Sequence, residues 1–223
     1  MKIVLIGRKN CKYSIKIKKF LSKKKIKLFY YETNNYGEKF NKNIPLKTIL
    51  ISFRNTAILK KELLNKTSYA INFHAATPKY RGVGAPNFAL LNNEKFFGST
   101  CHIMGEKVDS GKIIDVKYFP ILKNFNLKKL LNKTHKIMYN QALEILDGIL
   151  NEKNFIKKLI NKNSKLKWSK KLYNKKQMLK LYEIKANLNK SKIKKIFKAT
   201  AYKNFYPYMS IKNKKKFIKK IPN

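Results

Sequence analysis

The sequence predicts an α/β fold built on a mostly parallel sheet. Short β-branched runs alternate with helically spaced segments through the first 150 residues, and such alternation implies crossover connections with helices covering the sheet. The length of 223 residues gives room for one medium domain and an appendage. Hydrophobic residues at 43% and aromatics at 13%, with 8 Gly and 6 Pro, provide a core despite heavy charge.

The apolar start Ile3-Val4-Leu5-Ile6 marks a buried strand over 2–6, and residues 12–24 form a Lys-rich helix carrying Ile15, Ile17, Phe20 and Leu21. Lys27 to Glu32 reads as a second strand, Thr48 to Phe53 as a third, 56–65 as a short helix and Tyr69 to Phe73 as a fourth strand. Asn87 to Leu91 follows as a helix. Gly98 to Met104 and Lys112 to Phe119 are β-rich runs flanking a turn-like segment, so they are expected to pair as a long hairpin. From Leu127 to Leu150 the apolar positions fall at helical spacing behind Asn126, a candidate N-cap. These elements make up a domain over 1–150. Residues 151–223 are expected to form a small, mostly helical extension with pieces at 155–162, 175–183 and 189–198. Its aromatic cluster, Tyr202, Phe205, Tyr206 and Tyr208 around Pro207, is expected to close a core edge.

Lys and Arg total 53 against 11 acidic residues, a formal charge of +42 that attracts polyanions. Only three are arginines, and lysines scattered over every segment read as solvated faces rather than a site shaped for phosphate. The extension is the exception in density, holding 24 Lys against Glu152 and Glu183. No apolar stretch reaches membrane-spanning length, and Gly7-Arg8 cuts the first run too short for a secretory core, so a cytoplasmic protein is expected. Cys11 and Cys101 fit neither a disulfide framework nor a metal pattern and read as free thiols.

Chemistry concentrates between residues 72 and 111. At the carboxyl end of a strand, Asn72 and His74 lie two apart and point to one side, while Phe73 enters packing. The turn-rich segment 75–86 is suited to wrapping a pocket. Asp109 is the best carboxylate partner for His74, being a loop aspartate in a chain with only three. An amide, an imidazole and a carboxylate without a nearby Ser or Cys nucleophile suit direct acyl transfer to an amine, with no metal required.

Ile71-Asn72-Phe73-His74, Pro78-Lys79-Tyr80-Arg81-Gly82, Gly98-Ser99-Thr100-Cys101-His102 and Val108-Asp109-Ser110-Gly111 together form an ordered set. That set resembles the 10-formyltetrahydrofolate-dependent formyltransferases, which include glycinamide ribonucleotide, methionyl-tRNA and amino-sugar nucleotide enzymes. The resemblance spans residues 48–150. It implies a Rossmann-like domain in which Asn72, His74 and Asp109 pass a formyl group from 10-formyltetrahydrofolate, a co-substrate, to an amine. It also implies that the pterin is held largely by backbone groups around Phe53, Arg54, Ile58 and Leu59 and around Met104, Gly105 and Val108. His102 is similar to a histidine that some members place near the site. Ala75 stands where the family usually has Pro, and the region before residue 48 is shorter than usual.

The tail strings Phe197-Lys198-Ala199-Thr200 and Asn204-Phe205-Tyr206-Pro207 resemble enzymes that formylate amino sugars on nucleotide carriers. The expected acceptor is therefore an amino-sugar nucleotide, with a homodimer possible by analogy. One alternative is methionyl-tRNA formylation in which the basic tail clamps tRNA in place of the β-barrel found in full-length members. The other is a non-catalytic RNA-binding relic of the fold.

Overall fold

The computed structural model describes residues 1–185, 187–211 and 214–220. Six strands form one sheet in the order β2-β1-β3-β4-β6-β7: β1 Lys2–Arg8, β2 Lys27–Thr33, β3 Thr48–Phe53, β4 Thr67–His74, β6 Phe96–Ile103 and β7 Ile113–Pro120. The first four are mutually parallel, and β4 pairs with β6 antiparallel. The sheet is therefore mostly parallel and the α/β, Rossmann-like expectation holds. β6 and β7 are neighbours, with the Ile103 N–H donating to the Lys112 carbonyl at 2.9 Å, as the hairpin reading anticipated.

Alternation along the strands explains how the two faces differ. Ile3, Leu5, Ile51, Phe53, Ile71 and Phe73 point into one cluster, where α1 (Lys12–Ser22) contributes Ile17 and Leu21. The long helix α4 (Leu127–Asn151) adds Met138, Ala142, Ile145, Leu146 and Ile149 to that cluster, and α5 (Phe155–Lys162) adds Ile156. Val4, Ile6, Leu50 and Ala70 point the other way, against Phe40, Ile44 and Leu63. The second face is thinly covered because its helix, α2, spans only Lys61–Leu64.

The shortness of α2 departs from the helix expected over 56–65, and the cause is local. Asn55 forms a side-chain turn, its Oδ1 accepting from the Ala57 N–H at 2.8 Å and its Nδ2 donating to the Ala57 carbonyl at 3.0 Å. Ile58 then joins an isolated bridge with Lys39, and the Ile58 N–H donates to the Glu38 carbonyl. The backbone groups a helix would use are thus already committed. In contrast, α3 starts earlier than expected, at Ala85–Leu91, because Pro86 is tolerated in a first turn that needs no N–H from it.

Beyond α5 the chain forms β8 (Leu172–Tyr173), which pairs with the two-residue β5 (Arg81–Gly82). Helices α6 (Lys175–Lys180) and α7 (Lys190–Thr200) follow, and the extension then ends in an antiparallel pair, β9 (Tyr208–Ile211) and β10 (Lys214–Phe217). That pair was not foreseen. Tyr208 packs on Phe217 with ring centroids 5.9 Å apart, so one aromatic of the tail cluster staples the pair together. Pro207 is buried, whereas Phe205 stays 63% exposed.

The chain groups into two compact units, neither continuous in sequence: Met1–Ala75, Ser99–Lys117 and Ile137–Trp168; and Ala76–Gly98, Tyr118–Lys136 and Ser169–Asn223. In the second unit Tyr80, Phe88 and Tyr173 pack together, with Phe88 and Tyr173 centroids 4.0 Å apart, and Asn87 Nδ2 donates to the Ala199 carbonyl. No helix among the described residues is long and apolar enough to cross a membrane. Leu146→Ala should cost about 2–5 kcal/mol of stability, since a fully buried leucine leaves a cavity under the sheet. Urea unfolding measures this, and a loss below about 1 kcal/mol contradicts the packing.

Candidate active site

Asn72 and His74 share the parity of Ala70 in β4 and so face the thinly covered side of the sheet, while Phe73 is buried on the other side against Phe53. Parallel register sets Ser52 beside Asn72, and antiparallel register sets His102 on its other flank. The Ser52 hydroxyl donates to Asn72 Oδ1 at 2.9 Å, which turns the amide nitrogen toward His102 Nε2 at 3.2 Å. His102 Nδ1 lies 2.8 Å from the Ile103 carbonyl, an acceptor only. The proton therefore sits on Nδ1, and Nε2 receives the Asn72 amide. A hydroxyl, a carbonyl and a second histidine thus fix the direction of one carboxamide.

Asp109 enters from the loop between β6 and β7. Its backbone is left-handed, with φ of +46°, and its carboxylate is buried. One oxygen lies 3.4 Å from His74 Nδ1 and the other 3.5 Å from His102 Nε2. These are long contacts of the kind that tighten when a site is loaded. The three residues singled out in the sequence are thus brought together, and His102 joins them as a fourth member.

Two further residues hold the loop. A Cβ on Gly111 would meet the Ile103 carbonyl oxygen at 1.8 Å, so the glycine two positions after Asp109 is what lets the loop cross β6 closely. Trp168 donates its indole N–H to the Gly111 carbonyl at 2.7 Å, and its ring stands edge-to-face near both imidazoles, with centroids 5.9 Å from His74 and 5.0 Å from His102. Trp168 was missed in the sequence. The only tryptophan of the chain, inside a polar Lys-rich stretch, was the available signal.

The residues expected near the pterin lie on two loops. Phe53 is fully buried and its side chain belongs to the core, so only its backbone is available. Arg54, at φ of +53°, directs Nη1 to Cys11 Sγ at 3.4 Å. Burial pushes the Cys11 thiol up, but bonding with Ser14 and the Arg54 charge outweigh it and hold the thiol below its ordinary value. Leu59 and Met104 are half-buried against the Val4/Ile6 cluster, and Gly105 is exposed. Ile58 and Val108 are 60% and 62% exposed, apolar side chains on the two loops available to a flat ring. An ion pair between Lys61 and Glu106 ties the loops to each other. These features fit a bound pterin. Among the described residues no group of three or more His, Cys, Asp or Glu is placed to hold a metal ion.

Residues 19–146 match the formyl transferase family. The chain belongs to that family. Among its relatives, methionyl-tRNA formyltransferase from Clostridium tetani is 34% identical over 97 residues, covering 43% of this chain and 31% of that protein. The enzyme of the same name from Listeria welshimeri is 29% identical over 148 residues, covering 65% of this chain and 47% of its own length. The chain thus spans less than half the length of these formyl transferase relatives. Among solved structures, a 4-N formyltransferase from Francisella tularensis superposes with a TM-score of 0.75 at 17% identity, covering 97% of this chain and 96% of that one. An N-formyltransferase from Helicobacter canadensis, in complex with folinic acid and dTDP-3-aminofucose, superposes with a TM-score of 0.68 at 19% identity over 96% of this chain and 86% of that one. These likenesses establish the formyl transferase fold.

Gly111→Ala is expected to lower stability by about 2 kcal/mol or more, because backbone rather than a flexible side chain blocks the added methyl group. Chemical denaturation checks this, and a variant as stable as the parent contradicts the close crossing.

Proposed function

We propose that this chain transfers a formyl group from 10-formyltetrahydrofolate to the primary amine of a nucleotide-linked amino sugar. The observation that carries the reading is the meeting of Asn72, His74 and Asp109 at the carboxyl end of β4, where ligands of open α/β sheets bind. The folate supplies an acyl carbonyl on a nitrogen leaving group. Backbone around Phe53, Arg54, Ile58 and Leu59, with Met104, Gly105 and Val108, is assigned to hold its ring.

In this reading Asn72 donates an N–H to the carbonyl oxygen as the amine adds and negative charge develops there. Its amide is preoriented by Ser52, so little reorganisation accompanies the reaction. His74, backed by Asp109, stabilises the same charge and takes up the proton that the amine loses on forming its new bond to the formyl carbon. Collapse restores the carbonyl and breaks the bond to the folate nitrogen, which takes that proton and leaves. Asp109 stays ionised and keeps the imidazole in a tautomer with hydrogen on Nδ1.

The sugar acceptor rests on two supports. The structures that superpose over nearly the whole chain are sugar N-formyltransferases, one of them titled as a complex with a dTDP amino sugar. The tail strings resemble the same group. The second reading, methionyl-tRNA as acceptor, rests on the relatives at 34–37% identity and on a charge of +42. Salt distinguishes them: tRNA affinity falls steeply with ionic strength, whereas a small acceptor's falls little. A relic that only binds RNA would transfer no formyl group to either.

Formyl transfer followed by mass spectrometry with 10-formyltetrahydrofolate and a panel of amino acceptors is the test. His74→Ala should lower turnover by about 10²–10⁴-fold and Asn72→Ala by about 10²–10³-fold, with folding preserved. Turnover near the parent rate in either variant contradicts the assignment.

A further inference from the structure

Trp168 has no place in the reaction as derived above, yet it is the one residue that touches every moving part of the site. Its indole N–H meets the Gly111 carbonyl at 2.7 Å, two residues after Asp109. Its ring packs edge-to-face near His74 and His102, at 5.9 and 5.0 Å between centroids and interplanar angles of 63° and 86°. Aromatic pairs favour this arrangement at these separations.

The Asp109 loop needs such a hold. Asp109 sits at a left-handed φ of +46°, a conformation that costs a residue with a side chain about 1–3 kcal/mol and persists only where surroundings enforce it. The carboxylate is buried, so it must remain near its two imidazoles to be compensated. The Gly111 carbonyl is the far end of this turn, and Trp168 supplies a hydrogen bond to it. Ser110 secures the near end, its hydroxyl donating to the Lys107 carbonyl at 2.7 Å.

We infer that Trp168 is a positioning residue, which pins the 109–111 turn and seals the His74–Asp109 pair so that the imidazole is held in the Nδ1–H tautomer with its ring direction fixed. The inference rests on the formyl-transfer reading for its catalytic consequence, but its structural content stands independently. Trp168 acts through Asp109 and His74 and makes no contact with reacting atoms in this scheme.

The test is Trp168→Phe, which keeps a ring against the imidazoles and deletes the N–H. Two readouts are taken. In steady-state kinetics of formyl transfer, kcat should fall about tenfold or more while both KM values stay within about twofold, as misplacement of a catalytic group predicts. In ¹⁵N NMR of the histidine side chains, the His74 signal, assigned by its loss in His74→Gln, should show the Nδ1–H tautomer in the parent protein and shift toward the ordinary Nε2–H form in Trp168→Phe. An unchanged tautomer overturns the inference whatever turnover does, and so does a kcat within twofold of the parent. If Trp168→Phe does not fold, the parent spectrum decides, because a His74 already in the Nε2–H form overturns it. If the parent transfers no formyl group to any amine while the tautomer responds to Trp168→Phe, the functional reading fails and the positioning role stands.

Discussion

A buried carboxylate shared by two imidazoles is the constraint around which the rest of the site is arranged. Removing Asp109 from water is costly unless compensating donors lie within reach, and His74 and His102 approach its two oxygens at 3.4 and 3.5 Å. Those two histidines come from adjacent strands. Their approach to one acid depends on the antiparallel register that faces His74 with Thr100 and Asn72 with His102. A slip of one residue would turn both side chains to the opposite face of the sheet. The sheet register and the site geometry are therefore one requirement.

The same requirement explains why the sheet faces are unequal. The face bearing Ile3, Leu5, Ile51 and Ile71 is covered by α1 and α4 and forms a continuous apolar cluster. The face bearing Asn72 and His74 receives only short α2 and irregular segments. Helices there would have buried the polar constellation. The Asn55 turn that shortens α2 keeps the neighbouring loop irregular, with Ile58 exposed and Arg54 left-handed beside Cys11. Lys61 and Glu106 then connect this loop to the one that delivers Asp109.

Most of the sheet was legible from the sequence because hydrophobic alternation and strand length are local properties of Ile3–Ile6, Thr48–Phe53 and Tyr69–Phe73. Asn72 and His74 were legible for the same reason, being two apart at the end of an apolar run. Asp109 could be singled out through the scarcity of aspartate and the glycine that follows at 111. What remained hidden depends on long-range placement. Trp168 is distant along the chain from Gly111, and nothing in its Lys-rich surroundings fixes its partner. Ser52 becomes meaningful only through strand register. The β9–β10 pair was read as helix or loop because its strands are short and Lys-rich, and cross-strand ring packing between Tyr208 and Phe217 replaces apolar alternation. The α2 boundary failed on side-chain competition by Asn55, a conformational effect that apolar spacing does not reveal.

The central claim is geometric: an amide, an imidazole and a carboxylate surround one acyl carbonyl. A crystal structure of the protein soaked with a non-transferable formyl-folate analogue tests it most directly. The account predicts the formyl oxygen within about 3 Å of Asn72 Nδ2, near His74, with the pterin ring between the loops bearing Ile58 and Val108. An analogue that leaves the carboxyl end of β4 empty, or presents its formyl group away from Asn72 and His74, contradicts it.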